Sequence, residues 1–404
     1  TSGGTTVRSP RPSKGGGGST APATTPPTLS SLAPSGRGDT QPGAVPAPGG
    51  SDPGTPTPPA DGRHALEHEV DALTPFVQDT AGHTFKAPVP VVILSDTQFL
   101  ARYDQLNWHP KGADAEQLEA VYRALGLIDA NVDLASELAK LSRTEVVTLY
   151  DPVAGELLIR NREADPYLRT MLVHELTRAL DDQHFDIYRP SSAGFNDESL
   201  AGLKALAEGD ATRVTDKYTA TLSASDRSRV DSERQRIAQQ APSNINRAVK
   251  IRFTYFVAQG VNLVKAILGA GGRGRLDAAF AAPPVSSEQI LEPSKYLAND
   301  APRAVAEPAA GGPVVNRGVL GQVGVYLMLA PATDDTTANK AAYGWGGDRY
   351  VSWQEGPKTC VRQTIVTDSA EDAAELGAAL EQWRQKMPGA EVSGSGPFTI
   401  KRCA

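Results

Sequence analysis

The chain is poor in several residue types, and each scarcity closes off a class of protein. Its 404 residues include two cysteines, three methionines and only 6% aromatic residues. Two cysteines cannot build a disulfide-dense scaffold or a four-thiolate metal site. No apolar run approaches the roughly 20 residues that a membrane-crossing helix needs. The longest, Val323 to Ala332, is half that length. Basic residues are in deficit, with 40 Lys and Arg against 47 Asp and Glu, a net charge of −7. Binding along a phosphate backbone needs clustered cations, so nucleic acid is not expected as a partner. Heptads, a collagen period and solenoid repeats are also missing.

What is present is unevenly spread. Residues 1–62 hold 13 Gly, 13 Pro and 18 Ser or Thr without one aromatic residue. That composition cannot bury enough apolar surface to offset the entropy of ordering, so a disordered tail or linker is expected over 1–62. The folded part is expected over 63–404, with 319–404 as a possible C-terminal subdomain. The chain opens at Thr1 without a methionine. Together with the tail, this predicts a secreted protein, or one tethered on the outer side of a membrane through an N-terminal anchor, a lipoprotein being one form. Cys360 lies in the β-branched run KTCVRQTIV, and Cys403 follows PFTIKR. Two strands flanking the helical stretch between them can lie side by side, which predicts a Cys360–Cys403 disulfide; two unrelated thiols are the alternative.

Hydrophobic periodicity predicts a helix over 64–78, a strand over 89–94 and a helix from Asp96, with further helices over 113–126 and 131–141. A hairpin follows over 146–160, turning between Asp151 and Gly155. Asp165-Pro166 opens a helix expected to run to 185. Helices are expected over 197–222, 226–241 and 244–268, then a Pro/Ala/Gly-rich stretch over 281–318. The remainder reads as helix, strand, strand, helix, strand. The class is α+β and helix-rich, without βαβ alternation.

The helix over 166–185 carries the chemistry. Leu168, Leu172, Leu176 and Leu180 share one face, and His174, Glu175, Arg178 and Asp182 share the opposite one. In zinc peptidases, two imidazoles four residues apart on a helix hold the metal, and the Glu beside the first activates the bound water. Here the string is HELTR, and Arg178 stands where the second imidazole belongs. A guanidinium has no lone pair to offer a metal. His184 would lie about 15 Å along the axis from His174, out of reach of the same ion.

The segment from YDPVAGELLIR through HELTRALDDQHFD to LAEGDAT resembles an actinobacterial family of exported HExxH metallopeptidase-like proteins. APPVSSEQILEPSKY and GWGGDRY extend the likeness over most of residues 85–385. The resemblance implies a zincin-like core of the gluzincin type, with a small hairpin or sheet ahead of the HExxR helix. It implies His174 and Glu208 as metal ligands and Glu175 as the catalytic carboxylate. Tyr350 would steady an oxyanion; a plainer role for its neighbours is an Asp348–Arg349 pair fixing a Gly-rich turn. The family typically reads HELTH, HPEKY and LGE where this chain has HELTR, EPSKY at 292–296 and Leu320-Gly321-Gln322. These departures imply a vestigial metal site in which Arg178 has taken over the charge of the ion, pairing with Glu208 and donating toward Glu175. The function expected is a pseudoenzyme: a non-catalytic, metallopeptidase-like binding protein of the cell envelope, without a cofactor, taking a peptide or envelope protein in the cleft. The alternative is an active but atypical zinc metallopeptidase carrying one Zn. Trp345 and Trp353 are expected in the core or a pocket wall, and Asp181 and Asp182 on a solvated helix face.

Overall fold

The structure, a computed structural model, describes residues 64–106, 110, 112–142, 146–189 and 197–404. The tail expected over 1–62 lies outside these residues. The described chain opens with α1 (Ala65–Ala81), β1 (Val91–Leu94), α2 (Asp96–Leu106), α3 (Gly112–Leu125) and α4 (Leu134–Ser142). Then come the hairpin β2 (Thr148–Asp151) and β3 (Glu156–Arg160), and the helices α5 (Pro166–Phe185), α6 (Asp197–Thr221), α7 (Ala224–Gln240) and α8 (Arg247–Ala281). Two short helices, α9 (Ser287–Leu291) and α10 (Pro293–Leu297), lead to β4 (Val314–Gly318), α11 (Gly321–Leu329) and α12 (Asp335–Tyr343). The last elements are β5 (Trp345–Glu355), β6 (Lys358–Thr367), α13 (Ala370–Lys386), β7 (Glu391–Ser393) and β8 (Phe398–Cys403).

Two sheets organise these elements. The smaller has the order β1-β3-β2, with β1 parallel and β2 antiparallel to β3. Its turn is fixed locally: the Asp151 carboxylate accepts from the backbone N–H groups of Val153 and Ala154, and Gly155 supplies a φ of 70°. The apolar face of α5, including Leu168, Leu172 and Leu176, packs on this sheet together with α1 and Val230 of α7. Asp165 caps α5 by accepting from the Leu168 N–H at 2.7 Å, with Pro166 at the first turn. The larger sheet is antiparallel throughout, ordered β4-β5-β6-β8-β7. Its core merges with that of α3, α6, α8, α11 and α13, so helical and sheet residues share one interior.

The helix-rich α+β class is what the structure has, but a zincin-like core is not what organises it. The hairpin ahead of α5 serves a three-stranded sheet on one side of the molecule, while the larger core is built on the C-terminal five-stranded sheet. The stretch over 281–318 also holds α9, α10 and β4, which its composition hid.

Helix α8 runs past its expected end at 268, with non-helical backbone at Gly271 and Gly272 dividing it. By length and composition it is the one helix among the described residues able to cross a membrane. One face of it packs closely on α6. A methyl group on Gly260 would come within 2.2 Å of the Ala205 carbonyl, and one on Gly209 within 2.3 Å of the Gly260 carbonyl. Backbone therefore meets backbone where α6 crosses α8. Arg252 of α8 is also buried, paired with Glu198 of α6 at 3.3 Å. Cys360 and Cys403 face each other in the β6–β8 register and are joined as a disulfide.

Candidate functional site

Helices α5 and α6 bring polar side chains together beside strand β2 of the small sheet. His174 Nε2 lies 3.3 Å from Glu208 Oε2, and Arg178 Nη1 lies 3.3 Å from Glu208 Oε1. The same Nη1 is 3.8 Å from Glu175 Oε1. The other arm of the guanidinium donates to the Tyr188 hydroxyl, and its carbon lies 5.4 Å from the centre of the Tyr188 ring. Glu175 in turn accepts from the Tyr150 backbone N–H at 2.9 Å, tying α5 to the edge strand β2. The Tyr150 hydroxyl donates to Asp182 Oδ2 at 2.9 Å.

The charges are held by one another. Burial alone would raise the Glu208 carboxyl, but the Arg178 guanidinium and the His174 hydrogen bond outweigh it and bring its pKa down to about 2. Burial works against the Arg178 cation, yet Tyr188, Glu208 and Glu175 leave its pKa above the ordinary value. Burial raises Tyr188 and Tyr150, the latter with help from Asp182.

Above this floor opens a pocket of about 310 Å³. Its walls come from Leu106, Leu149, Leu200, Leu203, Phe256 and Val257, and its polar lining from Tyr103, buried Tyr150, Tyr188, Arg189 and exposed Lys204. Val257 remains 42% exposed, which places it at the mouth.

The residues singled out in the sequence distribute as follows. His174, Glu175, Arg178 and Glu208 come together. Tyr350 does not join them: it sits on β5, hydrogen-bonded to Asn316 Oδ1 at 3.0 Å, and does not line the pocket. Asp348 does not pair with Arg349. It accepts from Leu320 N, Gly321 N, Trp345 Nε1 and Gln363 Nε2, while Arg349 faces Glu307 at 3.7 Å. Trp345 and Trp353 are core residues. Asp181 and Asp182 are not on a solvated face: Asp181 is fully buried beside Arg273, 3.6 Å away, and Asp182 takes the Tyr150 hydroxyl. His184 stacks on His83 with ring centres 4.5 Å apart. Tyr150 and Tyr188 were missed. Neither lies on the periodic face of α5, and the aromatic pair flanking that helix was the only sequence trace of them.

The expected zinc site is corrected by this geometry. His174 meets one oxygen of Glu208 and the Arg178 guanidinium the other, so the carboxylate is spent on an ion pair and a hydrogen bond. Among the described residues, the set of three donors close enough to hold a metal ion is Glu355, Cys360 and Cys403, and its two sulfurs are spent in the disulfide.

Comparison with known proteins gives no support to the expected peptidase family either. A family model described as a domain of unknown function, DUF8575, matches residues 311–402, too small a share to assign the whole chain. No curated protein matches. One solved structure, from Chloroflexus aurantiacus and described as a candidate hydrolase with a novel fold, is 16% identical, with 60% of this chain and 92% of that chain covered and a TM-score of 0.39. A score that low falls short of a shared fold. Membership of the exported metallopeptidase family, the zincin-like core, and both the degenerate and the active zinc-peptidase functions are therefore set aside.

Proposed function

We propose that the protein binds an extended segment of a partner polypeptide, one side chain of which enters the pocket between α5, α6, β2 and α8. The observation that carries this reading is the pocket itself, apolar in its walls over a charged floor whose members engage one another. Its volume of about 310 Å³ sits at the low end of small-molecule pockets, which run to about 1,000 Å³. That space suits one large side chain better than a whole organic cofactor. Glu175 and Glu208 are paired with Arg178 on the floor, and of the other cations in the lining Lys204 is exposed and Arg189 donates to the carbonyls of Phe185 and Phe280. With the floor charges engaged, an uncharged anchor with a hydrogen-bonding tip, such as an aromatic side chain, is favoured there. The disulfide supports a setting outside the cytoplasm, secreted or tethered on the outer side of a membrane, because such bridges persist where conditions are oxidising.

Panning a displayed peptide library on the protein and on Val257→Trp tests the reading. Val257 is exposed, so the larger ring narrows the mouth without entering the core. Peptides carrying an aromatic or large aliphatic anchor should be enriched on the wild type and bind the variant about tenfold more weakly or worse. Failure to enrich any sequence, or equal binding by the variant, overturns the proposal.

A further inference from the structure

A second cavity, of about 580 Å³, lies where the segment matched by the domain of unknown function meets the helical part of the chain. Three arginines line it: Arg123 at the end of α3, Arg247 at the start of α8 and Arg402 on β8. Two of them are neutralised. Arg123 pairs with Glu119 at 2.8 Å, and Arg247 with Asp335 at 2.9 Å. Arg402 is different. Its Nη1 donates to the carbonyls of Arg123 and Ala124, at 3.0 and 2.8 Å, and its Nε to that of Pro388 at 3.3 Å. It makes no ion pair among the described residues, and its Nη2 makes no hydrogen bond there. A half-buried cation whose partners are all neutral is costly unless a counter-charge arrives, and burial alone pulls its pKa below the ordinary value. The first turn of α8 faces the same space through Arg247 and Ala248. Its N–H groups at Ala248 and Val249 are held by the Asn246 side chain, so the helix contributes the positive end of its dipole more than free donors. Exposed acids on the lining are Asp129 and the carboxylate of Ala404, the last residue described.

We propose that this cavity binds a phosphate-bearing small molecule, with Arg402 as the counter-charge. The Nη2 arm left over by its carbonyl partners, on a guanidinium beside the positive end of a helix dipole, is a donor that a phosphate oxygen can take. The volume leaves room for an organic body beside the phosphate. The inference is independent of the peptide-binding pocket and shares no lining residue with it.

The test uses the full chain and inorganic phosphate at low ionic strength, followed by calorimetry and thermal melting. One saturable site should appear in the millimolar range or tighter, with a rise in Tm on binding. Because Arg402 also holds the end of α3, Arg402→Gln is paired with Ala130→Glu, which adds a carboxylate at an exposed lining position and removes no contact. Both variants should bind phosphate about tenfold more weakly or worse, and Ala130→Glu should melt like the wild type when phosphate is left out. The proposal fails if phosphate shows no saturable binding, if Ala130→Glu binds it undiminished, or if citrate binds more tightly than phosphate.

Discussion

Arg178 sits among Glu175, Glu208, His174 and Tyr188 in a nearly closed space, and its value to the protein lies in what its loss would expose. A buried ion pair gives modest net stability, but removing one partner strands the other, at a cost of about 3–5 kcal/mol. Arg178→Met should therefore lower the unfolding free energy measured in urea by that order, and Arg178→Met with Glu208→Gln should recover much of the loss. A single variant as stable as wild type would deny the cluster any structural role. The same carboxylate sets an acid limb. Its pKa is about 2 when folded and 4.5 ordinarily, so the folded chain binds fewer protons between those values. That stabilisation is complete above pH 4.5 and disappears as pH falls through 2. Glu288 has the opposite sign. Burial, opposed by Lys295, pushes it up to about 7, so the folded chain holds a proton that the unfolded chain has released, and stability falls as pH rises from 4.5 to 7. Glu288→Gln should flatten the decline in Tm over that interval; an unchanged slope would assign it to other groups. The meeting of Arg178 with Glu208 was legible, because position 178 of the motif dictates which way the side chain points. The burial of Asp181 was not, since its neighbour Arg273 is far away along the chain and no local pattern announces it.

Helices α6 and α8 touch through Gly209 and Gly260, where side chains would collide with backbone. Backbone cannot give way as a flexible side chain can, so overpacking there costs about 1–3 kcal/mol or more. Gly260→Val should reduce Tm and separate the two helices, loosening Glu208 one residue away from Gly209; a variant melting with the wild type would show that the contact is slack. Element by element, the sequence read well where periodicity and caps agreed. Asp165-Pro166 and the leucine stripe gave α5 over 166–185 as observed, and Asp151 with Gly155 gave the hairpin. It read poorly where composition misled. The helix expected over 244–268 stops short of a glycine cluster at 269–274, yet only Gly271 and Gly272 there depart from helical backbone, and burial of Leu276 and Phe280 carries the helix onward. In 281–318, the Ser286 cap of α9 is a local signal masked by a background rich in Pro, Ala and Gly, whereas the pairing of β4 with β5 is decided by tertiary neighbours.

At the scale of the molecule, one interior joins α3 and α8 to the five-stranded sheet. Trp383 of α13 donates to the Leu125 carbonyl at 3.0 Å, and Met387 crowds Gly126. The segment over 311–402 thus recurs as a recognisable sequence unit without closing its own core. Expressed alone, it should bind hydrophobic dyes and lack sharp tertiary signals, as a loosely packed state does; a cooperative melt from that fragment would mark it as autonomous. The disulfide spans a sequence separation of 43 residues, a loop worth about 3–4 kcal/mol by chain entropy. Reduction in the native buffer should lower Tm without abolishing the fold, and an unchanged melt would show that the strand pairing alone holds β8.

The placement of β8 between β6 and β7 has a consequence for how the protein is made. Phe398 and Ile400 belong to the same core as Val121 and Leu125, and Arg402 closes the carbonyl end of α3. During synthesis, α3 emerges long before the strand that completes its surroundings. The smaller core around α1, β3, α5 and α7 can assemble while the chain is still growing, because none of its members comes from beyond residue 237. The larger core has to wait for its last strand, exposing its leucines and tryptophans in the meantime. Oxidation of Cys360 and Cys403 then falls late in folding, as a seal on a sheet that has only just taken in the strand between β6 and β7.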